Sequence, residues 1–110
     1  MLALSVREPW ASLIREGKKP IETRTWKTRK RGYILICASL KPQIGLYGRA
    51  VATAELVDCR PMTKHDEKEA CCEMDDGLFA WVLQNVKKIV PFPVKGQLGF
   101  FNVDCEPKEE

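Results

Sequence analysis

The chain has 110 residues, 45% hydrophobic and 30% charged, with a net charge of +3. That length suits one small domain with one core rather than two, and the composition excludes a disordered chain. No apolar run approaches the roughly 18–20 residues of a membrane span. The opening Met1 to Arg7 has neither the basic start nor the apolar stretch of a secretion signal, so a cytoplasmic protein with no membrane contact is expected.

In chain order, Leu2 to Val6 alternates and predicts a short strand. Glu8 to Gly17 predicts a helix, with Pro9 suited to its first position and Gly17 to the residue just past its end. Trp10, Leu13 and Ile14 share a face of that helix, which makes core packing the simpler role for Trp10. Pro20 blocks continuation, and Ile21 to Trp26 alternates as a strand. After a turn at Arg31-Gly32, the apolar run Tyr33 to Ala38 predicts a central buried strand. Ser39 to Gly48, with Pro42 and two glycines, reads as a loop. Arg49 to Cys59 predicts a long strand with Ala50, Ala52 and Ala54 on one face. Thr63 with Asp66 forms an approximate capping box for a short acidic helix over Lys64 to Cys72. Leu78 to Val86 predicts a strand, Pro91 and Pro93 a rigid link around Phe92, and Leu98 to Val103 a last strand. Residues 1–105 form the expected domain, and 106–110 a loose polar tail. Six short strands, two short helices, no repeat and no βαβ alternation point to an α+β fold, a small, mostly antiparallel β-barrel with flanking helices.

Five cysteines (37, 59, 71, 72 and 105) include no C-x-x-C pair, and His65 is the only histidine. Such a set favours free thiols in a reducing compartment over a zinc site, so neither metal nor cofactor is expected. His65, on an acidic helix, reads as a surface residue. Residues 1–55 carry eleven Lys and Arg against four Asp and Glu, a net +7, while 56–110 carry seven against eleven, a net −4. A basic half favours an anionic partner.

The segment from Gly17 to Arg31 concentrates the chemistry. Glu22, Arg24 and Trp26 lie two apart and share one face of an extended strand. Lys19 precedes them, and Lys27, Arg29, Lys30 and Arg31 follow as a basic run. Trp10 or Trp26 would stack a base. Arg24 and Lys19 would hold a phosphate, as a planar fork and a point charge. Glu22 would accept from base amino groups or position the two cations. The basic run would meet the nucleic-acid backbone, with Ser39 and Lys41 extending the rim. Against this stand simpler roles: an ordinary Glu22–Arg24 ion pair, a solvated basic turn, and Trp81 as core. An enzyme would use Lys19 as base and Glu22 as acid in hydrolysis. A protein-interaction module would need more than scattered residues such as Tyr47 and Phe92.

Gly17, Lys19, Glu22, Arg24 and Trp26 fit G-x-K-x-x-E-x-R-x-W. Together with Ser5-Val6-Arg7-Glu8-Pro9-Trp10-Ala11-Ser12-Leu13, Arg31 to Ser39 and Pro93 to Gly99, they resemble the ASCH (activating-signal-cointegrator homology) domain family across nearly the whole chain. The resemblance implies a PUA-like β-barrel with a cleft beside its first helix, and binding of RNA, a nucleotide or a modified nucleoside. One bacterial branch hydrolyses acetylated cytidine with a Lys, a Thr and a Glu. The Lys falls on Lys19, but the Thr falls on Glu22. Thr23, next to it, is expected on the opposite strand face. Asp66, Glu67 and Glu69 all remain open as matches for that branch's Glu. Other members are described as ribonucleases.

Overall fold

The apolar run after Arg31 becomes the middle strand of a six-stranded sheet. The structure, a computed structural model, describes residues 1–110. In chain order it holds β1 (Leu2–Val6), α1 (Trp10–Arg15), β2 (Ile21–Arg24), β3 (Gly32–Ala38), β4 (Arg49–Pro61), a 3-10 turn (Lys64–Asp66), α2 (Glu67–Ala70), β5 (Phe79–Pro93) and β6 (Phe100–Asn102). The sheet order is β2-β5-β4-β3-β1-β6. All pairings are antiparallel except β1 with β3, which run parallel in the register Ala3↔Leu35 to Val6↔Ala38. One parallel pair among antiparallel ones agrees with the expected mostly antiparallel barrel. Parallel neighbours need a long connection, and α1 with β2 supplies it. No helix is long and apolar enough to cross a membrane.

Both faces of the curled sheet are apolar, which is why β3 reads as a continuous run. Ile34 and Ile36 face the inner core with Leu4, Val6, Leu56, Trp81 and Leu83, and with Ala11 and Ile14 of α1. Leu35 and Cys37 face outward into a second cluster with Ala3, Ala50, Ile89 and Phe101. Burial there, with Cys105 nearby, pushes the Cys37 thiol up to about 12.

Two expectations change along β4 and β5. Ala50 lies in the outer cluster, whereas Ala52 and Ala54 lie in the inner one. A register shift between Ala50↔Phe92 and Ala52↔Lys88 turns the strand over. Pro91 to Pro93 is not a link but the end of β5, because Pro91 falls in that shift, where a missing N–H breaks no ladder bond. Arg15, at the end of α1, fills the gap. Its buried guanidinium donates to the Val51 carbonyl at 3.1 Å and the Ile89 carbonyl at 3.3 Å. It also pairs with Glu110 at 2.5 Å.

The C-terminal segment is docked. The Val90 N–H donates to the Lys108 carbonyl at 2.8 Å and the Glu110 N–H to the Lys88 carbonyl at 2.9 Å. Val103 and Cys105 pack on the outer cluster. Val103, Cys105 and Pro107 are less exposed than the residues between them, a two-residue alternation that was present in the sequence.

The helices are shorter than expected. Pro9 precedes α1 as its N-cap. The second helical stretch is a 3-10 turn plus α2, begun by the Thr63–Asp66 capping box. Asp66 also takes a two-pronged bond from Arg60, at 2.7 and 2.8 Å. The Arg60 guanidinium, aided by the Thr63 N–H, holds the Asp66 carboxyl well below the usual carboxylate range. A lowered folded value means stability that is present above the unfolded value near 4 and lost as pH falls below it. Asp66→Asn is therefore expected to cost about 1 kcal/mol at neutral pH. Urea denaturation at pH 7 and pH 3 should show the difference between the two proteins shrinking in acid. An undiminished difference at the lower pH would contradict this role.

Candidate ligand-binding cleft

The two edge strands, β2 and β6, are not hydrogen-bonded to each other. The seam between the sheet's two ends is bridged by side chains instead. Trp26, just past β2, packs edge-on against Phe100 of β6, with ring centroids 5.6 Å apart. The Arg24 Nη2 donates to the Ser5 carbonyl of β1 at 2.5 Å. Above this bridge a cleft of about 440 Å³ opens between the start of α1, β2 and the Gln97–Gly99 segment.

Lys19, in the connection from α1 to β2, is only 2% exposed. Its Nζ donates to the Ala70 carbonyl at the end of α2 and lies 3.7 Å from Glu22 Oε1. Glu22 Oε2 accepts from Arg24 Nη2 at 3.0 Å, and Oε1 accepts the Thr23 N–H at 3.1 Å. One carboxylate thus separates two cations, leaving the group one net positive charge. Two buried polar atoms at this floor, Ser5 Oγ and Arg24 Nε, have no hydrogen-bond partner. Glu8 organises the opposite wall: its carboxylate accepts from the Ser12 N–H at 2.7 Å, the Ser12 hydroxyl at 2.5 Å and the Leu46 N–H at 2.9 Å. It thereby ties the β3–β4 loop to α1. Gly45 in that loop has φ +57, and a Cβ there would meet Glu8 Oε2 at 2.1 Å, so only glycine fits.

Of the residues expected at a site, Trp10, Lys19, Glu22, Arg24 and Ser39 line this cleft. Trp10, at the first turn of α1, is 38% exposed rather than core, because it stands at the mouth while Ile14, one turn on, reaches the sheet. Trp26 does not line the cleft. β2 stops pairing with β5 at Arg24, the chain bends, and Trp26 turns into an aromatic cluster with Trp81 and Phe100. Lys27, Arg29, Lys30 and Arg31 are exposed on the β2–β3 connection and do not border the cleft, nor does Lys41. His65 is exposed. The lining also includes Ser5, Arg7, Thr23, Cys72, Gln97 and Leu98. Thr23 was expected to point away from it. Because β2 is an edge strand, its free side opens to the cleft, and Thr23 Oγ1 reaches Cys72 Sγ at 3.8 Å.

The ASCH domain model matches residues 4–93. The chain belongs to the ASCH domain family. It is 27% identical to human "Activating signal cointegrator 1" and 26% identical to the mouse protein of that name, each over 94% of this chain. It spans only 22% of the length of those relatives. Among solved structures, an ASCH protein from Zymomonas mobilis superposes with a TM-score of 0.73 at 16% identity, covering 93% of this chain and 86% of that one. Its Y47F mutant superposes with a TM-score of 0.68 at 15% identity, covering 93% and 88%. The half-barrel fold of this ASCH domain is therefore shared with those structures; in this chain the seam cleft opens beside the first helix.

Proposed function

We propose that this ASCH domain binds a nucleotide unit of single-stranded RNA in the seam cleft. The observation that carries the reading is the convergence of Lys19, Glu22 and Arg24 on one cavity with a net positive charge. Trp10 offers an apolar face at the mouth for a base. Arg7, exposed on the rim, supplies a further cation for phosphate. Gln97 and Ser39 offer both donors and acceptors to a base edge. The Lys19 ammonium is engaged by the Ala70 carbonyl and the Glu22 carboxylate. That suits a fixed positive donor better than a base that must exchange a proton during turnover.

A second reading rests on Thr23, whose hydroxyl shares the cleft with Lys19 and Glu22. These are the residue types for hydrolysis of an acylated nucleoside, with Thr23 as nucleophile. Fluorescence anisotropy with short single-stranded RNA, beside product analysis with acetylated cytidine, separates the readings. Under the binding reading, affinity should fall roughly 5- to 20-fold between about 50 and about 200 mM salt if two or three phosphates are neutralised. Arg7→Ala should flatten that dependence. Salt-independent binding would sink the reading, and turnover lost on Thr23→Val would favour the hydrolase.

A further inference from the structure

A second groove, of about 590 Å³, adjoins the cleft. It is bounded by Leu40, Val94, Lys95 and Gly96, and it shares Ser5, Ser39, Gln97 and Leu98 with the cleft. The two cavities thus have a common wall, and Leu98 stands on it 99% exposed. Folding gains nothing from a leucine left wholly in water. Beneath it the wall is thin: a Cβ on Gly96 would meet Ser5 Oγ at 2.7 Å, so the loop lies directly on that serine. The Ser5 hydroxyl, at the join between the cavities, is one of the two unpartnered buried polar atoms.

We infer that cleft and groove hold two consecutive nucleotides of one strand, with Leu98 between their bases. This rests on the cleft's binding a nucleotide and adds what kind: a chain rather than a free nucleoside. Each cavity is within the size range of small-ligand sites, and continuity through the shared wall suits one ligand in both. Bases present apolar faces on both sides, and an apolar side chain wedged between neighbours replaces the stacking they lose. Leu40 and Val94 give the groove an apolar lining, and Lys95 brings a cation to it.

The experiment is calorimetric titration of the whole chain with mononucleotides and with the corresponding dinucleotides. The wild-type protein should bind a dinucleotide about tenfold more tightly than its mononucleotide, the gain from one further stacked base. Leu98→Ser and Lys95→Ala, both on exposed side chains, should narrow that ratio to roughly twofold or less. A ratio near one in the wild type, or a ratio that survives both substitutions, overturns the inference. If both ligands then still bind equally and lose affinity together in Arg24→Gln, the nucleotide reading of the cleft stands without it. Binding of neither ligand overturns both.

Discussion

Trp81→Ala is expected to lower the unfolding free energy by about 4 kcal/mol. The side chain is 0% exposed and lies at the centre of the aromatic cluster, 4.6 Å from the Trp26 ring and 5.5 Å from Phe100 between centroids. Its Nε1–H donates to the Trp26 carbonyl at 3.2 Å. Truncation removes the largest buried side chain, leaves a cavity under the seam and orphans that carbonyl. A domain this size has roughly 5–15 kcal/mol to lose, so the variant should be marginal at 37 °C. Trp81→Phe keeps most of the ring contacts but not the hydrogen bond, and about 1–2 kcal/mol is expected from the orphaned carbonyl. Urea midpoints followed by circular dichroism should fall in that order with the slope unchanged. Function should follow stability here, because Trp81 pairs with Glu22 in the β2–β5 register and so seats the strand that carries the cleft. A loss below about 1 kcal/mol for Trp81→Ala would mean the cluster does not hold the seam closed.

Local rules reached the parts of this domain in which local geometry persists. Glu22 and Arg24 do meet, because the ladder with β5 keeps both in one strand. The same two-residue rule failed at Trp26 because that ladder had ended. It failed again at Ala50, where a register shift turned β4 over. Arg15 was invisible for a related reason. Its position predicts a solvated cation at a helix end, and only the break in the β4–β5 ladder creates two carbonyls for it to satisfy. The cleft is a tertiary object throughout. Ser5, Thr23, Cys72 and Gln97 come from four distant segments, and no spacing relates them before the sheet curls. The family pattern located Lys19, Glu22 and Arg24, while the charge count pointed to a basic run that lies away from them. A net charge of +7 over half the chain says which partner is attracted, and nothing about where a cavity will form.

The carboxylate between the two cations should separate stability from recognition. Glu22→Ala is expected to cost about 3 kcal/mol, since removing one member of a buried ionic group leaves the others uncompensated. Here the survivors are Lys19 and Arg24, with side chains 2% and 22% exposed. They would then face each other with only the Ala70 and Ser5 carbonyls as partners. Glu22→Gln keeps the shape and one acceptor for Arg24, so its cost should be smaller. It also raises the net charge of the group from one to two. If Glu22 only positions the cations, a phosphate ligand should bind Glu22→Gln at least as tightly as wild type at low salt, with a steeper salt dependence. If the carboxylate itself accepts from a base amino group, affinity should drop and base preference should relax, because a charge-assisted bond becomes an ordinary one. If the cleft is hydrolytic, turnover should vanish while binding persists. Measuring unfolding, salt-dependent affinity and product on this one variant gives three outcomes that do not overlap. The position matters because the family resemblance puts Glu22 where a nucleoside-hydrolysing branch carries a hydroxyl, so this one variant separates the proposed binding from the alternative of cleavage.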